Sequence, residues 1–323
     1  MKHWSNYWSS SKTLNSFAES DASQGYKGAI KNHWFKVFST LKPNSRIVDI
    51  GCGNGALACL AVEYSNNHNL NFEVHGIDAA DINPLHTLQS QKESIKLLKQ
   101  IEFHPGTPAE KLPFKAESVD IFISQFGFEY TNVQQALEEC TKALTADGVI
   151  SLMSHHNESF ISKDTMTGAK LLNEILHSSP LFIQIDLLLD IASQVKASGQ
   201  YHTWKNNPYN QSISNTIKWI LDTLKTQFSD DIHKAWLQDI INRVLPTLQN
   251  IGTTTPQELR TYLAQQYTAL EDHRIRLEDQ LKAMFTKNKL DTLEQQVKGL
   301  GFTIQAAPFM LNEQPFAWSI NIN

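Results

Sequence analysis

The chain has 323 residues, 41% of them apolar and 19% charged, with 28 Lys and Arg against 33 Asp and Glu and a net charge of −5. That length admits one large domain with an insertion or two domains, and the composition excludes disordered and collagen-like classes. A mildly acidic chain without a Lys/Arg run offers little to a polyanion, so nucleic acid is disfavoured as a partner.

In chain order, residues 1–40 read as an N-terminal helical segment whose rings Trp4, Tyr7, Trp8 and Phe17 form either a lid or a staple onto the following domain. No stretch reaches the roughly 18 uninterrupted apolar residues of a membrane span, so a cytoplasmic location is expected. Short runs rich in Ile, Val and Phe at 46–50, 72–77, 101–104, 119–124 and 149–153 alternate with helix-like stretches at 56–65, 87–100 and 133–144. This is the pattern of βαβ units and a parallel sheet buried on both faces. Asp147-Gly148 is expected to stop the third helix through a left-handed glycine.

From 157 to 285 the periodicity is helical throughout, with segments at 181–195, 213–228, 232–249 and 256–285, the last opening on Pro256, a favoured first helical residue. In that last segment Leu263, Leu270, Leu277 and Met284 recur every seven residues, interrupted at Arg274. The stripe predicts a helix packed on its own chain, with a homodimer through the insertion as the alternative. Trp204, Trp219 and Trp236 are expected in the core of this block. Strand character returns at 301–305 and 316–320 around Asn312-Glu313-Gln314-Pro315, an antiparallel pair closing the sheet. The domains expected are therefore 1–40, a core of 41–156 with 286–323, and a helical insertion at 157–285. Cys52, Cys59 and Cys140 have neither CxxC spacing nor a histidine pair beside them, so buried free thiols and no metal site are expected.

The sharpest motif is Val48-Asp49-Ile50-Gly51-Cys52-Gly53-Asn54-Gly55, a strand running into a glycine turn that opens a helix. Glycine lets backbone approach a ligand, and the N–H groups of a helix start favour an anionic group. Gly51, Gly53 and Ala56 also satisfy the dinucleotide fingerprint, so NAD stays open at this point. Asp78, ending the second strand, can bind a ribose diol in either cofactor.

Together these stretches resemble the class I S-adenosylmethionine-dependent methyltransferases, especially the ubiquinone/menaquinone-methyltransferase-like branch. The glycine turn looks like that family's first motif and Gly76-Ile77-Asp78 its second. Residues 109–114 and 118–127 are similar to the stretch joining its third and fourth strands, and 144–150 stands at its turn into strand five. The resemblance implies a Rossmann-like, seven-stranded mixed sheet with the all-helical insertion between strands 5 and 6. It also implies S-adenosylmethionine as cofactor, with S-adenosylhomocysteine as product. Gly51, Cys52, Gly53 and Gly55 would face the methionine portion, Asp49 would hold the loop and amino group, and Asp78 with Ala79 would meet the ribose. Thr107, Ala109 and Glu110 would line the adenine, although Pro108 stands where the family often has Asp. Ser124 and Gln125 would lie beside the methionine end.

Methyl transfer is an in-line displacement that needs alignment and, for an acidic acceptor, a base. Glu129 and Tyr130 after the fourth strand and His155 with His156 after the fifth are the candidates, at the carboxyl edge where open α/β sheets bind ligands. Ser124-Gln125-Phe126-Gly127 lacks the Asn/Asp-Pro-Pro-Tyr/Phe signature of amino methyltransferases of bases. The reading is thus methyl transfer to a small or medium-sized organic acceptor, the insertion covering the acceptor pocket. A catalytically silent, cofactor-sensing or partner-binding protein is the alternative.

Overall fold

The computed structural model describes residues 1–16, 25–199 and 201–323. Phe17 lies outside these. Two compact units are present, one of Met1–Ser162 with Asp279–Asn323 and one of Lys163–Glu278.

The first unit is built on one sheet of β1 (Arg46–Ile50), β2 (Glu73–Asp78), β3 (Ile101–Pro105), β4 (Val119–Gln125), β5 (Leu144–His155), β6 (Ile304–Leu311) and β7 (Gln314–Ile322), in the order β3-β2-β1-β4-β5-β7-β6. β1 to β5 pair in parallel, while β7 runs antiparallel to both β5 and β6. This is a Rossmann-like mixed sheet. The central strand shows why its sequence is a continuous apolar run. Ile47 enters the core under one face while Val48 and Ile50 enter the core under the other, so neither face meets water.

Helices α1 (Lys2–Ser10), α2 (Gly28–Phe38), α3 (Ala56–His68), α4 (Pro84–Thr87), α5 (Lys92–Leu98) and α6 (Val133–Ala143) precede or cross between the strands. The single helix expected at 87–100 is two. Asn83 caps the first through His86 N–H, the chain turns at Leu88–Gln91, and fully buried Leu88 is the residue that the turn delivers to the core. Nor is α6 stopped by a left-handed Gly148. The chain passes directly from Ala143 into an extended Leu144, and β5 absorbs the irregularity as a register shift against β4. A Cβ at Gly148 would instead meet the Leu144 side chain at 2.8 Å and the Thr145 carbonyl oxygen at 3.0 Å, so the position is tight.

The last strand pair also begins later than expected. α12 (Lys287–Gly299) runs on to a left-handed Gly301, which pushes β6 to Ile304. Asn312 and Glu313 both have positive φ, the two-residue turn whose twist matches a hairpin. Pro308 is tolerated because β6 is an edge strand.

Between β5 and β6 lie α7 (Phe160–Asn173), a π turn at Glu174–Ser178, α8 (Leu181–Ala197), α9 (Pro208–Gln227), α10 (Asp231–Gln249) and α11 (Pro256–Ala283). The all-helical insertion is therefore present where the strand numbering puts it. In the second unit the buried residues recur at three and four, as in Ile213, Ile217, Ile220 and Leu224 of α9 and Leu237, Ile240 and Val244 of α10. Thr255 and Glu258 form a reciprocal capping box at the start of α11. Leu263, Leu270, Leu277 and Met284 are all buried within the chain, so the stripe offers no surface to a second copy at those positions. Trp219, by contrast, is 68% exposed and belongs to no core. Among the described residues no single helix is long and apolar enough to cross a membrane.

Candidate functional site

The site is assembled where β1 and β4 end. Gly51 and Gly53 both take positive φ, and each is forced by a neighbour as well as by its own backbone. A Cβ on Gly51 would lie 2.7 Å from the Gly127 Cα, and one on Gly127 would lie 2.6 Å from the Ile50 carbonyl oxygen. The two turns therefore touch backbone to backbone. A Cβ on Gly53 would collide with the ring of Trp8. Gly51 and Cys52 N–H groups both donate to the Ile77 carbonyl, and Gly55 N–H closes the turn on Cys52.

Two carboxylates support this loop. Asp49, almost fully buried, accepts from Ala58 N–H at 3.1 Å and so ties β1 to the start of α3. Burial holds its carboxyl well above the usual carboxylate range, backbone donation from Ala58 opposes that, and Asp78 adds to it. Asp78 accepts from Gly53 N–H and Ala80 N–H, each at 2.8 Å. Burial raises it from 3.8 to about 6 against the pull of those two donors. Cys52 is buried beside the loop, where burial and then the two carboxylates push its thiol up. It lies with Trp8, Ala80 and Ile82 in one small apolar cluster.

The residues expected around adenine are divided. Thr107 N–H donates to the Asp78 carbonyl at 2.8 Å, Ala79 is half-buried beside it and Ala109 is buried. Glu110, however, accepts from the backbone of Asn132, the cap of α6, at 2.5 Å. Its carboxylate is committed to a helix start. Ser124 and Gln125 are likewise engaged in holding the fold. The Ser124 hydroxyl donates to the Ile50 carbonyl at 2.7 Å and accepts from Phe128 N–H, clamping the ends of β1 and β4. Gln125 Oε1 accepts from the Trp34 indole at 2.6 Å, anchoring α2.

The groups nearest to acid–base chemistry do converge. Glu129 sits in a short helical turn after β4 with its side chain fully buried, and Oε1 accepts from both His155 N–H (2.8 Å) and His155 Nδ1 (2.7 Å). Its Oε2 is buried without a partner among the described residues. With Nδ1 as donor, the other imidazole nitrogen carries the lone pair. The His155 ring stacks on Phe126 at 4.2 Å and meets Tyr130 edge-on at 5.9 Å. Phe126 itself holds φ +60°, a strained value for a bulky residue that turns the chain into Gly127. Tyr130 is pushed well above its ordinary value by burial and then by Glu129 and Asp279, so its hydroxyl is a donor at neutral pH, not a base. His156 departs from its neighbour. It lies just beyond β5, where its ring stacks on Trp318 at 4.3 Å and its Nδ1 accepts from Glu158 N–H.

What joins these parts is helix α1, whose rings the sequence marked as a lid or staple without showing what they touch. Trp8 covers Gly53, Ser5 accepts from Asp81 N–H at 3.0 Å, and buried Asn54 donates to the carbonyls of Trp8, Ser11 and Thr13. At its other end His3 and the Trp4 indole both reach Asp279, and the Trp4 ring lies edge-on to Tyr130 at 5.5 Å. Asp279 carries no sequence signal, because it stands in the middle of a polar helical repeat.

Residues 48–152 match the protein family described as methyltransferase domain. That span runs from β1 to β5 and contains the glycine turn, both carboxylates and Glu129. No curated protein matches the chain. Three of the solved structures that it resembles are all described as methyltransferases. One, S-adenosylmethionine-dependent and from Aquifex aeolicus, is 19% identical, with a TM-score of 0.33 over 40% of this chain and 65% of its own. A geranyl diphosphate C-methyltransferase from Streptomyces coelicolor is 13% identical, with a TM-score of 0.32 over 39% and 45%. A third, from Methanococcus maripaludis and described only as a putative methyltransferase, is 11% identical, with a TM-score of 0.39 over 90% and 82%. The chain thus spans under two thirds of the first two, and likenesses this distant carry no argument about the activity of this chain.

Proposed function

We propose that the chain transfers the methyl group of S-adenosylmethionine to a small or medium-sized organic acceptor with an acidic hydrogen, His155 removing the proton and Glu129 holding His155. The observation that carries this reading is the buried Glu129–His155 pair, whose imidazole stacks on Phe126 next to Gly127, the residue packed against Gly51. A carboxylate on Nδ1 fixes the imidazole tautomer and leaves Nε2 as the proton acceptor, which is the arrangement a general base requires.

The residues present fit the cofactor. Gly51 and Gly53 keep the turn bare of Cβ atoms, with Gly127 backbone against the first and the movable Trp8 ring over the second, and Asp78 keeps lone pairs for two ribose hydroxyls after accepting two backbone donors. Bound there, S-adenosylmethionine supplies an electrophilic methyl on a sulfonium. The chain supplies the rest: backbone to orient the methionine portion, Phe126 and Tyr130 as walls beside the base, and α1 to exclude water. Trp8 lies over Gly53, so entry requires α1 to move, and the helix acts as a gate. Glu110, Ser124 and Gln125 support the site through the fold, while Thr107 and Ala109 remain for the adenine side. Transfer to a quinone-like or lipid acceptor, as in the branch that the motifs resemble, falls within this class.

The test is transfer of labelled methyl from S-adenosylmethionine to a panel of quinols, phenols and carboxylic acids. His155→Gln is expected to lower kcat by about 100-fold or more while leaving cofactor affinity unchanged. Equal activity in the variant would remove His155 as the base. A wild-type protein that binds the cofactor yet methylates nothing in the panel would favour the non-catalytic alternative.

A further inference from the structure

A second cluster of chemistry-bearing side chains lies on the sheet away from the glycine turn. In the parallel pairing of β2 with β3, His75 stands opposite Glu102 and Ile77 opposite His104. Side chains two residues apart share a face, so His75, Glu102 and His104 come together on one side of the sheet edge. The expectation of no metal site rested on the cysteines, which have neither CxxC spacing nor a histidine pair beside them, whereas His75, Glu102 and His104 are brought together only by the strand register.

We propose that His75 Nδ1, His104 Nε2 and the Glu102 carboxylate bind a divalent transition ion of the zinc class, tying edge strand β3 to β2. Three observations carry this. First, the ligand atoms are already spaced for it: the two imidazole nitrogens are 3.1 Å apart, Glu102 Oε2 is 3.6 Å from His75 Nδ1, and Glu102 Oε1 is 3.8 Å from His104 Nε2. Ligands of a tetrahedral ion with bonds of about 2.0–2.1 Å lie roughly 3.3–3.4 Å apart, so small side-chain adjustments complete the set.

Second, an outer shell orients the least mobile ligand. His75 Nε2 faces Glu73 Oε1 at 3.0 Å, and Glu73 is held in turn by Arg46 at 3.0 Å. Donation from Nε2 to Glu73 leaves the Nδ1 lone pair directed at the cluster, the carboxylate–histidine arrangement common behind metal ligands. Phe114 packs edge-on against both imidazoles, at 5.2 and 5.7 Å, and fixes their planes. Third, burial is graded in the useful direction. The His75 side chain is 6% exposed, that of His104 21% and that of Glu102 67%, which gives an ion a path in and leaves room for water as a fourth ligand. Two imidazoles with one carboxylate suit zinc, nickel or copper and disfavour magnesium and calcium.

Calorimetric titration of the chelator-stripped full chain with Zn²⁺, and separately with Mg²⁺, tests this. One saturable equivalent of zinc with micromolar or tighter affinity, and none of magnesium, is expected. Co²⁺ is expected to give the visible bands of a four-coordinate N/O site. Glu102 is exposed, so Glu102→Gln keeps the fold and is expected to weaken zinc at least tenfold. His104→Gln removes the equivalent, and Glu73→Gln weakens it by about 10–100-fold through His75. Absence of saturable zinc binding, or binding unchanged in both ligand variants, would overturn the proposal. None of these readouts depends on methyl transfer.

Discussion

Asp78 is where the charge of a single residue governs the proposed site. Its carboxyl, raised from 3.8 to about 6 by burial, is mostly ionised at neutral pH and takes up its proton about one unit below. In the ligand-free fold the proton is bound more tightly than in the unfolded chain. This contribution to stability is therefore full below about pH 4 and is lost as pH rises through 6, a difference of about 3 kcal/mol. In the proposed complex, ribose hydroxyls would donate to the ionised form and reverse the preference. Affinity for S-adenosylhomocysteine is thus expected to fall up to tenfold per pH unit below about 6 and to level off above 7, with no such slope in Asp78→Asn. A flat profile in the unmodified chain would remove the carboxylate from the contact. Gly51 makes a purely steric prediction. Gly51→Ala adds a Cβ 2.7 Å from the Gly127 backbone at a positive φ, and neither strand end has slack. A loss of about 3 kcal/mol is expected in urea unfolding. The glycines and Asp78 were legible because each solves a local problem at a strand end. The commitments of Glu110 to Asn132 and of Ser124 to Ile50 were not, because their partners lie elsewhere in the chain.

Under the proposed reading, helix α1 is the element that decides access. It contributes Trp8 over Gly53, Ser5 to the turn after β2 and Trp4 against Tyr130, so it spans the proposed cofactor and base positions together. If the covered state must open before ligand enters, apparent affinity is reduced by the open fraction. Trp8→Ala is then expected to tighten S-adenosylhomocysteine about tenfold and to raise amide exchange in α1. Weaker binding in this variant would make Trp8 a wall of the occupied site instead of a gate. The sequence marked α1 by its ring spacing, but not what those rings touch. The same limit explains the split of α4 from α5 and the late start of β6, which are set by the burial of Leu88 and by the cap at Gly301.

For the whole molecule, the alternation of strands and helices along the chain and the helical block after β5 were readable from the change of apolar period from a short run to a three–four repeat, while the mixed seven-stranded sheet was implied only by the family resemblance. Which face a helix buries was readable only from the full repeat. In α9 the buried series Ile213, Ile217, Ile220 and Leu224 turns Trp219 outward, although its identity alone suggests a core residue. Contacts across strands, such as Glu129 with His155 and His75 with His104, depend on register and fold, and no local pattern encodes them. The central claim remains that the glycine turn and Asp78 serve S-adenosylmethionine. Calorimetric titration with S-adenosylhomocysteine, with NADH as control, tests it most directly. Saturable one-site binding of the sulfur compound and none of NADH is the expected result. Binding of NADH, or no binding of S-adenosylhomocysteine by either the unmodified chain or Trp8→Ala, would contradict it.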